Sequence, residues 1–155
     1  MHRRLILSVA LCVIALDQVT KLLAVRFLEN RPSLPIVGRF LQLTFARNSG
    51  AAFSLATSAT AVLSAIAVVA CIFIIKTATQ VTHHAWAFVF AGVLGGAAGN
   101  LVDRVFRAPG FFTGHVVDFL ELPHWPVFNL ADSAIVCSAA VAVVLTFRGI
   151  PWKSQ

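Results

Sequence analysis

The chain has 155 residues, 59% of them hydrophobic and only 12% charged, with a formal net charge of +6 and a mean hydropathy of +0.87. Soluble domains carry about 25% charged and 45–50% apolar residues, so the composition excludes an ordinary soluble fold and points to a polytopic membrane protein in one membrane-embedded domain, residues 1–155. The positive balance suits anionic lipid headgroups, whereas the basic residues are too scattered for a nucleic-acid surface.

Residues 5–24 form the first apolar run, interrupted by Asp17 and Lys21. Met1-His2-Arg3-Arg4 before it has the charge of a signal-peptide start, but Ala-x-Ala cleavage spacing is missing, so an uncleaved span is expected. Val9-Ala10-Leu11-Cys12 is a poor lipidation box because bulky Leu11 stands where a small residue belongs. Three further runs, 56–75, 85–102 and 126–147, approach the roughly 20 residues that cross a bilayer. Each span should be helical, because backbone polar groups in lipid must be satisfied locally.

The regions between spans, 25–55 and 103–125, have another texture. Leu41, Leu43 and Phe45 alternate with Gln42 and Thr44, a period-2 strand pattern. Residues 33–54 therefore read as a small extracytoplasmic β-sheet lying on the membrane. In the second region Pro109, Gly110 and Gly114 signal turns, and Phe111, Phe112, Phe119 and Trp125 suit the interface. The expected fold is all-α and polytopic, four transmembrane helices carrying that sheet. Arg3, Arg4, Lys76, Arg148 and Lys153 mark the terminal face, against Arg26, Arg31, Arg39, Arg47, Arg104 and Arg107 on the other. The count alone leaves the orientation open, with a lean towards cytoplasmic termini.

Cys12, Cys71 and Cys137 lie in separate apolar runs, an odd number that argues against a disulfide framework. No Cys/His cluster has zinc spacing, and neither a phosphate-binding loop nor a dinucleotide fingerprint is present. Neither a metal nor an organic cofactor is expected.

Only six residues are acidic, and four aspartates, Asp17, Asp103, Asp118 and Asp132, lie in or beside apolar sequence. A charge at membrane depth costs on the order of 3 kcal/mol on insertion scales, so these residues need a reason. Asp17 and Lys21, four apart, share a helix face and read as a neutralised pair. Gly92/Gly96 and Gly95/Gly99 have the small-xxx-small spacing of close helix packing. Asn100 and Arg104 share the face that follows, with Asp103 beside them, either as a snorkelling arginine with its counter-ion or as a polar wall. Asn48, in Arg47-Asn48-Ser49-Gly50, reads on its own as part of an ordinary turn. Asp118 and Asp132 flank the short Pro-rich loop around Pro123 and Pro126. Pro126 suits a first helical turn, which would put Asp132 about 9 Å along the axis, with Asn129 on the same face. Two carboxylates brought together there favour acid–base chemistry. A proton-coupled transporter would place acids near mid-bilayer, and an assembly subunit leaves the pair without a reason.

Five segments in order, Asp17-Gln18-Val19-Thr20-Lys21, Arg47 to Phe53, Gly95 to Arg104, Val116-Val117-Asp118-Phe119 and Phe128 to Ser133, resemble the motifs of the lipoprotein signal peptidases (signal peptidase II), bacterial membrane aspartic proteases. The resemblance implies an inner-membrane endopeptidase with cytoplasmic termini and an active site near the extracytoplasmic face. It implies removal of signal peptides just before the lipidated cysteine of diacylglyceryl-modified prolipoproteins, with no obligate protein partner beyond substrate and membrane lipids. Asp118 and Asp132 match the catalytic pair. Asn48, Asn100, Arg104 and Asn129 match substrate-binding positions lining the site, and Asp17, Lys21 and Asp103 a structural support. The stretch from Arg104 to Asp118 is longer than the family habit and that from Asp118 to Asn129 shorter. The glycine-flanked Pro109–Gly114 segment within the first stretch is expected to act as a flap above the pair, with a passive interfacial anchor as the alternative.

Overall fold

A computed structural model describes residues 2–50 and 56–153; Ala51, Ala52 and Phe53 of the second motif lie outside the described residues. Among the described residues four helices are long and apolar enough to cross a membrane: α1 (Arg3–Leu28), α2 (Ala56–Thr77), α3 (His84–Phe106) and α4 (Leu130–Phe147). Three strands, β1 (Leu34–Val37), β2 (Leu41–Asn48) and β3 (Val116–Glu121), form an antiparallel sheet in the order β1-β2-β3. The expected fold class is thus the observed one, with one strand more than the period-2 pattern revealed.

Helix α3 is the centre of the bundle and packs against the other three helices. Its glycines make that possible on two faces. A Cβ on Gly95 would lie 2.6 Å from Val13 Cβ of α1, and one on Gly99 would lie 2.8 Å from Asp17 Oδ2. Gly92 and Gly96 meet α4 instead, against Ser138 and Ile135. Small residues let the backbones approach closely where lipid supplies no hydrophobic drive. A core of Ile6, Ala10, Ile74, Ala78, Val81, Ala87, Ala91 and Leu94 closes the bundle at the terminal end.

At the opposite end β3 lies over α1. Val117 and Phe119, on one face of the strand, join Ala24 and Leu28 in a second apolar cluster. Side chains alternate along a strand, so Asp118 points the other way. Helix α4 starts at Leu130, four residues after Pro126. Phe128 is held extended by Phe128 N–H donating to Leu120 O at 2.9 Å and by Leu120 N–H donating back at 2.8 Å. The proline therefore precedes the helix, and Asp132 sits in its first turn rather than 9 Å along it.

Candidate active site

Asp118 is placed by strand register. It pairs with Ala46 of β2, so Asn48, two residues on, shares its face of the sheet. The Asn48 amide donates from Nδ2 to Asp118 Oδ2 at 2.9 Å, and its Oδ1 accepts from Gly50 N–H at 2.7 Å. The carboxylate is 1% exposed. Burial pushes its pKa up from 3.8 to about 6, and the charge of Asp132 adds to the rise, while the Asn48 and Asn129 amides and Lys21 hold it back.

Asp132 is placed by a helix cap. Asn129 is the N-cap of α4 and Asp132 is its N3 residue. Asn129 Oδ1 accepts from Asp132 N–H at 2.9 Å, and Asp132 Oδ2 accepts from Asn129 N–H at 3.2 Å, a reciprocal capping box. This fixes which way the Asn129 amide faces. Its Nδ2 must point outward, where it donates to Asp118 Oδ1 at 2.6 Å and to Asn100 Oδ1 at 3.1 Å. One buried asparagine thus ties the strand carboxylate to the helix carboxylate.

Asn100 completes the frame from α3, donating from Nδ2 to Asp132 Oδ1 at 2.7 Å while its Oδ1 accepts from Lys21 Nζ at 2.9 Å. Lys21 also meets Asp17 at 2.8 Å and Asp103 at 2.9 Å, with all three side chains fully buried. An ammonium has three protons, and here each has an acceptor. Asp103 further pairs with Arg107 at 2.7 Å and accepts from Val117 N–H at 3.1 Å, which pins β3 to α3. Asp17 accepts from Ala131 N–H at 3.0 Å, which pins α4 to α1.

Arg104 is the exception. Adjacency in sequence offered Asp103 as its counter-ion, but that carboxylate turns to Lys21 and Arg107. Neighbouring helical residues point about 100° apart, whereas Arg107 lies one turn on. Arg104 is 8% exposed, and its Nη1 is buried without a hydrogen-bond partner among the described residues. Its charge interacts with Asp103, Asp118 and Asp132. An apolar cavity of about 370 Å³, walled by Leu122, Trp125, Phe128, Val136 and Cys137, has Asp132 at its edge. Among the described residues no cluster of three His, Cys, Asp or Glu is placed to hold a metal ion.

The sequence motifs converge on this one place. Asp118, Asp132, Asn48, Asn100 and Asn129 are joined directly, and Asp17, Lys21 and Asp103 form the layer behind them. Gln18 was not singled out in the sequence, yet its Nε2 donates to Asp17 at 3.1 Å, to Asp103 at 3.3 Å and to Gly99 O at 3.0 Å. Its place between Asp17 and Lys21 in the first motif was the available signal.

The family model for signal peptidase (SPase) II matches residues 9–148. A lipoprotein signal peptidase of Mycobacterium avium is 51% identical over 146 residues, covering 94% of this chain and 80% of that protein. One from Rhodococcus jostii is 48% identical over 150 residues, covering 96% and 76%. Two solved structures described as bacterial membrane enzymes superpose with TM-scores of 0.80. One, at 24% identity, covers 97% of this chain and 92% of its own; the other, at 25%, covers 91% of each. With about half the aligned residues identical to such relatives and the family model reaching from α1 to the end of α4, the chain belongs to the signal peptidase II family.

Proposed function

We propose that this protein removes signal peptides from prolipoproteins, cutting just before a diacylglyceryl-modified cysteine, with Asp118 and Asp132 as the catalytic pair. The observation that carries this reading is that one residue, Asn129, holds both carboxylates, its side-chain amide donating to Asp118 of the strand and its backbone N–H to Asp132 of the helix. The charge of Asp132 acts on Asp118, and two carboxylates that repel in this way share one proton, because ionising both is unfavourable. The charged member takes a proton from water as the water oxygen attacks the scissile carbonyl. The neutral member gives its proton to the carbonyl oxygen. When the tetrahedral adduct collapses, the proton taken from water passes to the leaving nitrogen, the other carboxylate takes back a proton from a hydroxyl of the adduct as the C=O bond re-forms, and the C–N bond breaks. Base and acid are not divided between the two residues.

Asn48, Asn100 and Asn129 line the site as positioning groups, since their amides are engaged with the carboxylates. Arg104 is the donor left free for substrate, suited to a peptide or ester carbonyl. The cavity beside Asp132 is apolar and runs along the first turns of α4, a lining suited to an acyl chain of the diacylglyceryl group. The protein then sits in a bacterial inner membrane with cytoplasmic termini and the pair near the extracytoplasmic surface. Asp118→Asn and Asp132→Asn should each abolish cleavage of a lipidated precursor by purified enzyme while expression and membrane insertion persist. Near wild-type turnover by either variant would remove that residue from the catalytic pair.

A further inference from the structure

All six acidic side chains lie between residues 17 and 29 or between 103 and 132. Residues 1–16, 30–102 and 133–153 contain none. The end of the molecule that gathers the start of α1, the end of α2, the start of α3 and the end of α4 therefore has cations alone: Arg3, Arg4, Lys76, Arg148 and Lys153. All five are exposed, and among the described residues none forms an ion pair.

The chain after α4 folds back as a strap across this face. Trp86 Nε1 donates to Ile150 O at 2.8 Å, and Thr82 N–H donates to Trp152 O at 3.0 Å. Trp152 stacks on Phe90 with ring centroids 5.8 Å apart. Lys153, next along, donates from Nζ to Gln80 Oε1 at 3.2 Å. Gln80 follows Lys76 by four residues, in the turn after α2 that Gln80 N–H closes by donating to Thr77 O at 2.8 Å. Lys76 and the anchored Lys153 thus both belong to the end of α2 and the turn that follows it. Below it, an apolar groove of about 260 Å³ runs between α2 and α3, walled by Phe73, Ile74, Trp86, Val89 and Phe90. Phe73 stands one turn before Lys76 on the same face of α2.

We propose that this groove binds one anionic glycerophospholipid of the leaflet at the termini, its acyl chain between α2 and α3 and its phosphate between Lys76 and Lys153. Charge complementarity selects the occupant. A zwitterionic lipid offers the groove the same chain but brings its own cation to a face where, among the described residues, no acidic side chain receives it. Basic clusters at the ends of spans favour anionic headgroups for this reason. The site is at the opposite end of the bundle from Asp118 and Asp132 and stands independently of the proposed chemistry.

The test uses the full chain with Trp125→Phe, leaving Trp86 and Trp152 as the only fluorescent indoles. The protein is reconstituted in phosphatidylcholine vesicles doped with dibrominated phosphatidylglycerol or with dibrominated phosphatidylcholine, whose brominated chains quench tryptophan on contact. Half-maximal quenching is expected at about tenfold lower mole fraction of the brominated phosphatidylglycerol, in line with two lysines at a membrane surface. Lys76→Gln with Lys153→Gln, both on exposed side chains, should erase the preference and leave quenching by phosphatidylcholine unchanged. Equal quenching by the two lipids in the parent protein would overturn the proposal and leave an ordinary lipid-facing groove. A preference that survives the double substitution would also overturn it, by placing the headgroup elsewhere.

Discussion

Lys21 and Arg104 are both buried cations, and the fold treats them in opposite ways. Lys21 has three acceptors and no spare proton, whereas Arg104 Nη1 is buried with no partner among the described residues. Removing one member of a buried, hydrogen-bonded charge set costs about 3–5 kcal/mol. Asp17→Ala should therefore lower thermal stability in detergent by that order, with residual cleavage in whatever remains folded. Arg104→Met removes a buried donor whose desolvation is offset by the charges of the nearby aspartates but by no hydrogen bond at Nη1 among the described residues. It should leave stability equal or raised while cutting kcat/KM at least about tenfold, the loss expected for one hydrogen bond to a charged donor. A destabilised Arg104→Met, or an Asp17→Ala enzyme stable but inactive, would reverse the two roles. Asp118 adds a proton-linked signature. Its folded pKa of about 6 lies above its ordinary 3.8, so the native state holds a proton that the unfolded chain releases. The resulting stability is complete below about pH 4 and is lost as pH rises through 6. Asp118→Asn should remove this slope, so the difference in Tm between variant and parent should move in favour of the variant between pH 4 and 7. A constant difference across that range would contradict the buried-carboxyl account. The partners of these aspartates were only half legible in the sequence. The i,i+4 spacing of Asp17 and Lys21 gave their pair correctly, but Asp103 met Lys21 across two helices, a contact that spacing along one chain does not encode.

The elements were legible where periodicity is strong and hidden where hydrogen bonds decide. Long apolar runs revealed the helices, and alternation revealed β2. Strand β3 escaped because its Val116 to Phe119 are all buried and so show no alternation of polar and apolar residues. The start of α4 escaped because Pro126 imitates a first helical turn, whereas the Asn129 capping box begins the helix four residues later. That displacement matters for chemistry, since it brings Asp132 back to the level of Asp118. The longer stretch after α3 is tethered at several points. Ser64 Oγ donates to Phe112 O at 2.9 Å, Gly114 N–H donates to Arg104 O at 2.9 Å, and His115 N–H donates to Ala108 O at 3.0 Å. Phe111 is 74% exposed and stacks edge-on against Phe112. Those bonds favour the anchor over the flap, with Phe111 reaching into the interfacial layer where aromatic rings settle. Spin labels at residue 111 and on α4 should keep their separation when a non-cleavable lipopeptide binds. A shift of several ångströms on binding would restore the flap.

The arrangement of charge over the whole molecule gives it two unlike ends. One end holds every acidic side chain, the sheet and the tethered loop; the other holds five cations and a strap of aromatic rings. Counting Lys and Arg did not orient the chain because Arg26, Arg31, Arg39, Arg47, Arg104 and Arg107 offset the terminal five. The structure divides that second group. Arg47 pairs with Glu29 at 2.8 Å, Arg107 pairs with Asp103, and Arg104 is buried beside the carboxylates. Three of the six are thus committed to the fold, whereas among the described residues none of the terminal cations forms an ion pair, and the cytoplasmic placement of the termini is a proposal that labelling can test. Single cysteines at Lys153 and at Arg39, in the turn between β1 and β2, test this once Cys12, Cys71 and Cys137 are replaced by alanine. In intact cells with a permeabilised outer envelope, a membrane-impermeant maleimide should label residue 39 and spare residue 153. Inverted membrane vesicles should give the reverse. Labelling of residue 153 from outside would turn the molecule over and place the aspartate pair on the side where lipoprotein precursors are made rather than where they emerge.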